Sequence, residues 1–249
     1  MIYLITGTDE KYYPKIYPYL ETINKYSAFK NILLCVGFSK DSEFDNITYK
    51  SIPKDSLTDI TTNPCVQAGE FLPYVSFNDD DIIIFTDGDI RLQRAFTNEE
   101  LNKVSNVKHD EVLIGPNATH SNNTLLNEAN GLNRYCSDEY LNSLFSEYGI
   151  NKNSATLNVG VIICTTKTYK RIYELTYEIY NKYPKVTDHM ARQQWYINCA
   201  IYSFCNVSLL PFSFHSHPHN GSQPDMSFEA DHTMYVNGER VLFRHKYYV

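Results

Sequence analysis

Asp79-Asp80-Asp81-Ile82-Ile83-Ile84-Phe85-Thr86-Asp87-Gly88-Asp89 is the stretch on which the reading of the fold turns. Its unbroken apolar run reads as a strand buried on both faces, as in a parallel sheet covered by helices. The run stops abruptly at two carboxylates separated by one glycine. Open α/β sheets bind their ligands beyond the carboxyl ends of strands, so a strand tip is where chemistry concentrates. Two carboxylates there can both reach one hard cation and leave room for phosphate oxygens, the arrangement by which a metal neutralises a departing diphosphate. The competing reading is an ordinary solvated turn, which uses Asp and Gly for backbone reasons.

Upstream, Ile2–Thr6 reads as a strand closed by Gly7-Thr8-Asp9, and Tyr12–Tyr26 as a helix with Ile16, Leu20 and Ile23 on one face. Asn31–Phe38 and Ile47–Ile52 read as further strands, and Pro64–Val75 as a helix with Val66, Leu72 and Val75 inward. Strands alternating with helices imply βαβ units with right-handed crossovers in a doubly wound sheet. Downstream, Glu111–Gly115 and Leu157–Cys164 read as strands, with loop-rich sequence over Pro116–Arg134 and a helix over Ser137–Tyr148. Tyr169–Tyr183 and Ala191–Phe204 are amphipathic helices. Trp195, mid-helix, reads as core. From Val207 the chain alternates short apolar runs with loops. No repeat, charge block or linker divides it.

The chain has 249 residues, 22 Lys plus Arg against 29 Asp plus Glu, and a net charge of −7, which argues against nucleic acid held by bulk charge. A hydrophobic fraction of 43% provides for a sizeable core and excludes wholesale disorder. No run is long enough for a membrane helix, and the start lacks a basic region and cleavage site, so no signal peptide is expected. The six cysteines form no C-x-x-C pair and several sit in apolar runs, which suits reduced, buried thiols and a cytoplasmic location.

Two histidine features stand apart. His215-Ser216-His217-Pro218-His219 could turn three imidazoles to one side of an extended segment, where they would suit a transition metal. Pro218 argues against a central strand, and a polar loop contacting sugar is the milder reading. His245 alone would be an ordinary surface or core histidine. It gains weight because a two-carboxylate site has coordination positions left over, and a neutral imidazole suits Mn²⁺.

Taken in chain order, these segments resemble the GT-A fold of nucleotide-sugar-dependent glycosyltransferases. Carrying the resemblance are Thr6-Gly7-Thr8, the DxD motif Asp87-Gly88-Asp89, Asn158-Val159-Gly160-Val161, Gln194-Trp195-Tyr196-Ile197-Asn198, and His245 within Val241–Lys246. With Gln67-Ala68-Gly69-Glu70 before the DxD strand, the set is similar to the small glycosyltransferases of large algal DNA viruses and to the retaining galactosyltransferase and glycogenin-like group. The resemblance implies an α/β, single-domain GT-A-like Rossmann-type sandwich over residues 1–249, with a mixed, mainly parallel central sheet. Residues 1–90 would be the nucleotide-binding half and 91–249 the acceptor-binding half. Thr6, Gly7 and Thr8 would hold the nucleoside, and Asp87, Gly88 and Asp89 would bind Mn²⁺ or Mg²⁺ and the diphosphate. His245 would complete the metal site, while Gln67, Asn158, Gly160, Gln193 and Gln194 would line the sugar.

Two departures bear on that assignment. Position 193 holds Gln where the family has Asp, with Asp188 either replacing that carboxylate or capping the helix. The family's longer C-terminal motif is absent, which leaves Lys246 or Arg244 for phosphate contacts. The expected activity is metal-dependent transfer of a sugar from a UDP-linked donor to a glycan or other hydroxyl acceptor. Inversion would require a carboxylate base, for which Asp138, Asp188 and Asp225 are candidates. Gln193-Gln194, with no adjacent acid, favours retention, and the cytoplasm, a host's for a virus-encoded enzyme, is the expected place of action. Rival readings are a metal-dependent hydrolase built on His215, His217 and His219, and a carbohydrate-binding protein without turnover.

Overall fold

The computed structural model describes residues 1–56, 66–117, 124–131, 136–184, 186, 192–217 and 225–245. The chain begins with strand β1 (Ile2–Asp9), helix α1 (Tyr13–Tyr26), β2 (Lys30–Val36) and β3 (Ile47–Ile52), then reaches β4 (Ile82–Thr86) and β5 (Ile90–Leu92). Helix α2 (Asn98–Ser105), β6 (Glu111–Pro116), α3 (Leu125–Gly131) and α4 (Asp138–Glu147) lead to β7 (Leu157–Thr165). Then come α5 (Thr166–Lys182), α6 (Arg192–Phe204), β8 (Asn206–Leu209) and β9 (His215–Ser216). The last short strands are β10 (Met226–Phe228), β11 (Met234–Val236), β12 (Glu239–Arg240) and β13 (Phe243–His245).

Seven strands form the central sheet in the order β3-β2-β1-β4-β7-β6-β8. Only β7 runs against its neighbours, so the sheet is mixed and mainly parallel, as expected. Alternate residues supply its two faces. Leu4, Ile82 and Ile84 pack with Ile16, Tyr19, Leu20 and Ile23 of α1. Ile5, Ile83 and Phe85 pack on the other side with Tyr169 and Ile172 of α5 and Trp195 and Ile201 of α6. Each fully buried aliphatic side chain contributes about 1.5–3 kcal/mol, so the strands that look uniformly apolar are those sandwiched by helices. Trp195 is fully buried, its indole N–H donating to the Leu125 carbonyl.

Three segments depart from the sequence reading. Pro64–Val75 is not an α-helix where it is described. Val66 and Gly69 have φ values of 50° and 112°, left-handed conformations that an α-helix cannot contain, and only a single 3₁₀ turn forms at Leu72–Tyr74; Pro64 lies outside the described residues. The loop-rich stretch 116–134 contains α3, because burial of Leu125 and Ala129 against α6 overrides the poor helix propensity of its asparagines. Helix α2, unanticipated, is opened by a capping box in which Thr97 Oγ1 accepts from the Glu100 amide and Glu100 accepts from the Thr97 amide.

Cys35, Cys136, Cys164, Cys199 and Cys205 are free thiols; burial holds Cys164 and Cys199 well above the ordinary thiol range and Cys35 at about 11. No helix among the described residues is long and apolar enough to cross a membrane.

Candidate functional site

The tips of β1 and β4 define the site. These strands run parallel with Thr6 opposite Thr86, where β4 ends and the Asp87-Gly88-Asp89 turn leaves the sheet; β1 does not close at Gly7 as the sequence suggested but continues through Gly7, Thr8 and Asp9 paired with β2, so the turn lies beside strand backbone. Gly88 is required by that closeness: a Cβ there would lie 2.9 Å from the Gly7 carbonyl oxygen. Thr86 is fixed from below by the Tyr19 hydroxyl at 2.7 Å. Burial, together with the Asp87 charge, keeps that phenol protonated. Thr6 is buried, and its Oγ1 has no hydrogen-bond partner among the described residues.

Asp87 and Asp89 gain a third partner from far along the chain. Strand β13 pairs antiparallel with β5, placing His245 opposite Ile90, one residue beyond Asp89. His245 Nε2 lies 3.1 Å from Asp89 Oδ1 and 3.6 Å from Asp87 Oδ2. One ligand atom from each of the three residues falls within 4.8 Å of the others.

A fault in the sheet makes room for that imidazole. Ile114 pairs with Ile162 but Gly115 pairs with Asn158, so β7 bulges over Val159–Val161 where it passes β6, while its register with β4 is kept through Val161. Within the bulge the Gly160 carbonyl accepts from the Asp87 amide at 2.9 Å, and Asn158 Oδ1 accepts from the Gly160 amide at 2.9 Å. A Cβ on Gly160 would run into His245 Cε1. The expected Asn-x-Gly element therefore serves at least one purpose here: it shapes the backbone against which His245 lies.

His215 and His217 pack on the same ring. His215 stacks on His245 with centroids 5.4 Å apart, and His217 meets it edge-on at 5.3 Å. Burial first, then the neighbouring His245 and His217, hold His215 well below the ordinary imidazole range, so it stays neutral. Neither belongs to a group that could hold a metal among the described residues; the one such group is Asp87, Asp89 and His245. His219, the third imidazole of the expected cluster, lies outside the described residues.

The other wall is built by side chains. Gln67 donates through Nε2 to Asp87 Oδ1, and its carbonyl accepts from the Tyr169 hydroxyl at 2.7 Å. Burial, with Glu70 and Asp87 among the adjoining groups, raises the Tyr169 phenol well above its usual range. Glu70, 3% exposed, accepts from the Tyr177 hydroxyl at 2.8 Å and from Gln193 Nε2 at 3.2 Å. Gln194 Nε2 donates to Glu128, 7% exposed on α3, at 2.9 Å. One turn further along α6, Asn198 clamps Leu157 by accepting from its amide at 2.6 Å and donating to its carbonyl at 3.1 Å. Because β7 runs opposite to β4, Leu157 sits at the sheet's carboxyl edge, and the start of α6 is held there.

Asp87, Asp89, His245, Gln67, Asn158 and Gly160 thus gather at one edge of the sheet, with Gln193 and Gln194 on the adjoining helix. Asp188 and Lys246 lie outside the described residues. Asp138 is exposed in the first turn of α4, and Asp225 is exposed in a turn before β10. Arg244 is buried and donates to the His232 carbonyl, with its guanidinium over Phe228. The sequence reading missed the pairing roles of Glu70 and Glu128. Glu70 stands in the quoted Gln67–Glu70 segment, and no local signal marks Glu128.

No protein-family model matches the sequence, and no curated protein matches it. Solved structures do. The galactosyltransferase LgtC in complex with donor and acceptor sugar analogs is 14% identical, with a TM-score of 0.62 over 98% of this chain and 86% of that one. An active-site mutant of LgtC is 12% identical with a TM-score of 0.61. The bifunctional glycosyltransferase WbbM, in its apo form, is 14% identical with a TM-score of 0.57 over 87% of this chain and 40% of that one. At such identities the likeness is one of architecture, and across nearly its whole length the chain has the GT-A-like α/β fold of these glycosyltransferases.

Proposed function

We infer that the protein is a metal-dependent glycosyltransferase that moves a sugar from a UDP-linked donor to a glycan or other hydroxyl acceptor, with retention. The observation that carries this reading is the meeting of Asp87, Asp89 and His245 at the carboxyl edge of this particular fold. LgtC, which shares the fold, was solved with donor and acceptor sugar analogs, which supports placing a sugar donor at the same edge. A divalent ion held by the three residues would supply charge neutralisation for the departing diphosphate.

The chain's own residues divide the remaining work. Thr6, Gly7 and Thr8 hold the nucleoside, and the unpartnered Thr6 Oγ1 offers a buried hydrogen-bonding atom for it. Gly88 lets the carboxylate turn lie against the Gly7 backbone of β1. Gln67 orients the Asp87 carboxylate. Asn158 and Gly160 shape the sugar-side wall, Gln193 and Gln194 line the sugar, and Lys246 and Asp188 are assigned to the diphosphate and the sugar. With Gln194 on the reactive face, the acceptor hydroxyl passes its proton to the leaving phosphate as the new glycosidic bond forms on the face the leaving group vacates.

Calorimetry of UDP with Mn²⁺ and with chelator tests the reading. Binding should require the metal; equal affinity in chelator would remove the ion from the site. Proton NMR of the transfer product should show the donor's anomeric configuration kept, and an inverted product would overturn retention alone.

A further inference from the structure

A second cluster, of the opposite charge, lies further along α1. Ile16 of that helix is a residue that a Cβ at Gly88 would meet, at 3.3 Å. Lys25 stands nine residues on, about 13 Å along the axis at 1.5 Å per residue. There Thr22, Lys25 and Tyr26, spaced to share one helix face, line a cavity of about 80 Å³ together with Arg91 of β5, Thr233 and Arg240 of β12. Drug-sized ligands need about 300–1,000 Å³, so the cavity admits one compact group and no whole sugar nucleotide. One side of it is stitched in place. Gln93 Nε2 donates to the Met234 and Val241 carbonyls at 3.2 and 2.9 Å, and its Oε1 accepts from the Met234 amide at 2.8 Å. Arg94 Nε donates to the Arg240 carbonyl at 2.8 Å.

Cations gathered in so small a space repel one another unless anions offset them. Asp231, exposed nearby, offsets part of the charge: its carboxyl is held below the ordinary range first by the Thr233 amide and hydroxyl, then by Arg91 and Arg240. With Arg91 set against Asp231, Lys25 and Arg240 remain. Arg94, close by, shows the usual remedy, an ion pair with Glu100 at 2.7 Å. Lys25 and Arg240 make no ion pair with a carboxylate among the described residues. Lys25 alone would need no ligand, since the helix dipole favours a cation in the last turn of α1. Arg240 has no such reason. Its Nε is buried without a hydrogen-bond acceptor among the described residues, a costly state for a charged group. The Tyr26 phenol registers the field: the hydrogen bond from Lys25 first, then the charges of Lys25 and Arg240, hold it below its usual range against the opposing effect of burial.

We propose that this cavity binds a tetrahedral oxyanion, a phosphate group, between Lys25 and Arg240, at a place separate from the one assigned to the donor. A carboxylate brings two oxygens in one plane, whereas a phosphate brings oxygens in four directions and can meet cations arriving from a helix and from strands at once. With its Nε engaged, the Arg240 guanidinium grips two of those oxygens as a fork, and the Lys25 ammonium takes a third as a point charge. The site goes beyond the glycosyltransferase reading and does not depend on it. Its ligand is inorganic phosphate itself or the phosphoryl group of a phosphorylated sugar whose remainder projects from the cavity.

The test titrates inorganic phosphate in EDTA, with ionic strength held constant by chloride, and follows the melting temperature. Its rise should saturate, with the midpoint at about 1 mM. Lys25→Gln should move that midpoint up about tenfold and Arg240→Gln should abolish saturation, since each removes charge-assisted hydrogen bonds. Lys30→Gln, a lysine outside the cavity, should leave the midpoint in place, and Mn²⁺-dependent UDP binding should be unchanged in Lys25→Gln. Hexose 6-phosphate in the same assay tells the two sources apart. A midpoint about tenfold below that of phosphate, with the same dependence on Lys25 and Arg240, supports the site with a phosphorylated sugar as ligand; an equal or higher one supports it with the free ion. A response that does not saturate by about 20 mM phosphate, or an equal midpoint with acetate, would overturn the site. So would a midpoint unmoved in Lys25→Gln, and because Lys25 is exposed at the end of α1, that arm stands even where Arg240→Gln folds poorly.

Discussion

The two walls of the site are held by different means. The wall proposed to face the metal is strand-built: Asp87 and Asp89 leave β4, the bulge of β7 carries Gly160, and His245 arrives on β13 by pairing with β5. Its geometry is set by backbone register. The wall proposed to face the sugar is helix-built, and its parts meet through side chains: Gln193 with Glu70, Gln194 with Glu128, Asn198 with Leu157. Register moves as a whole or not at all, whereas a side-chain pair can be exchanged singly. The metal wall should therefore be intolerant of any added atom, and the sugar wall adjustable without loss of metal.

Asp89→Ala attacks the metal wall at its most exposed ligand and should have the largest effect. Transfer should fall about a thousandfold, roughly 4 kcal/mol, with metal-dependent UDP binding lost. The melting temperature should stay within about 2 °C of the parent. Turnover near the parent's rate would remove the carboxylates from the mechanism.

Gly160→Ala tests whether register alone holds that wall, since it alters no ligand yet drives a Cβ into the His245 ring. A cost of about 1–3 kcal/mol is expected, with Mn²⁺ affinity down about tenfold by paramagnetic titration. Unchanged Mn²⁺ binding would mean that His245 yields freely.

Asn198→Ala is the matching break in the sugar wall. It strips both partners from the Leu157 backbone and should destabilise the fold by about 2–3 kcal/mol, lowering the melting temperature by roughly 4–10 °C. Mn²⁺ affinity should hold, and a fall as large as that in Gly160→Ala would erase the distinction between the walls.

Glu100→Gln, in the capping box of α2, is the remote control. Burial works to raise the Glu100 carboxyl, but the Arg94 guanidinium and the Thr97 amide outweigh it and leave it below its ordinary range. A lowered folded value means the stabilisation is whole above the unfolded carboxyl's value near 4.3 and is lost as pH falls through the folded one. The parent should exceed the variant by about 1 kcal/mol at pH 7, and the gap should close in acid. Donor and metal binding should not change.

Much of the metal wall was legible before the structure, because its ingredients are local. Four apolar residues before a DxD mark a buried strand and its tip without reference to any partner. His245 was legible through the coordination positions that two carboxylates leave over and through its family resemblance, and β13 delivers it as expected. The bulge at Gly160 was not legible, since a register slip is a property of two strands and neither β6 nor β7 encodes it alone. The turn before β4 was misread for a related reason: valine carries no sign that it will adopt a positive φ. Glu70 and Glu128 lie 123 and 66 residues from the glutamines they hold, and no periodicity spans such distances. The capping box of Thr97 and Glu100 is the opposite case, a local signature that was present and went unread.

The pairing of Ile90 with His245 also has a consequence in time. Roughly 150 residues separate the two sides of that ladder, and synthesis at about 5–20 residues per second puts some 10–30 s between them. Throughout that interval a ribosome-bound chain holds both carboxylates and lacks the imidazole, and so carries only two of the three proposed ligands. If the three residues hold an ion as proposed, its capture is thereby deferred to the end of folding, once the distant strand has docked.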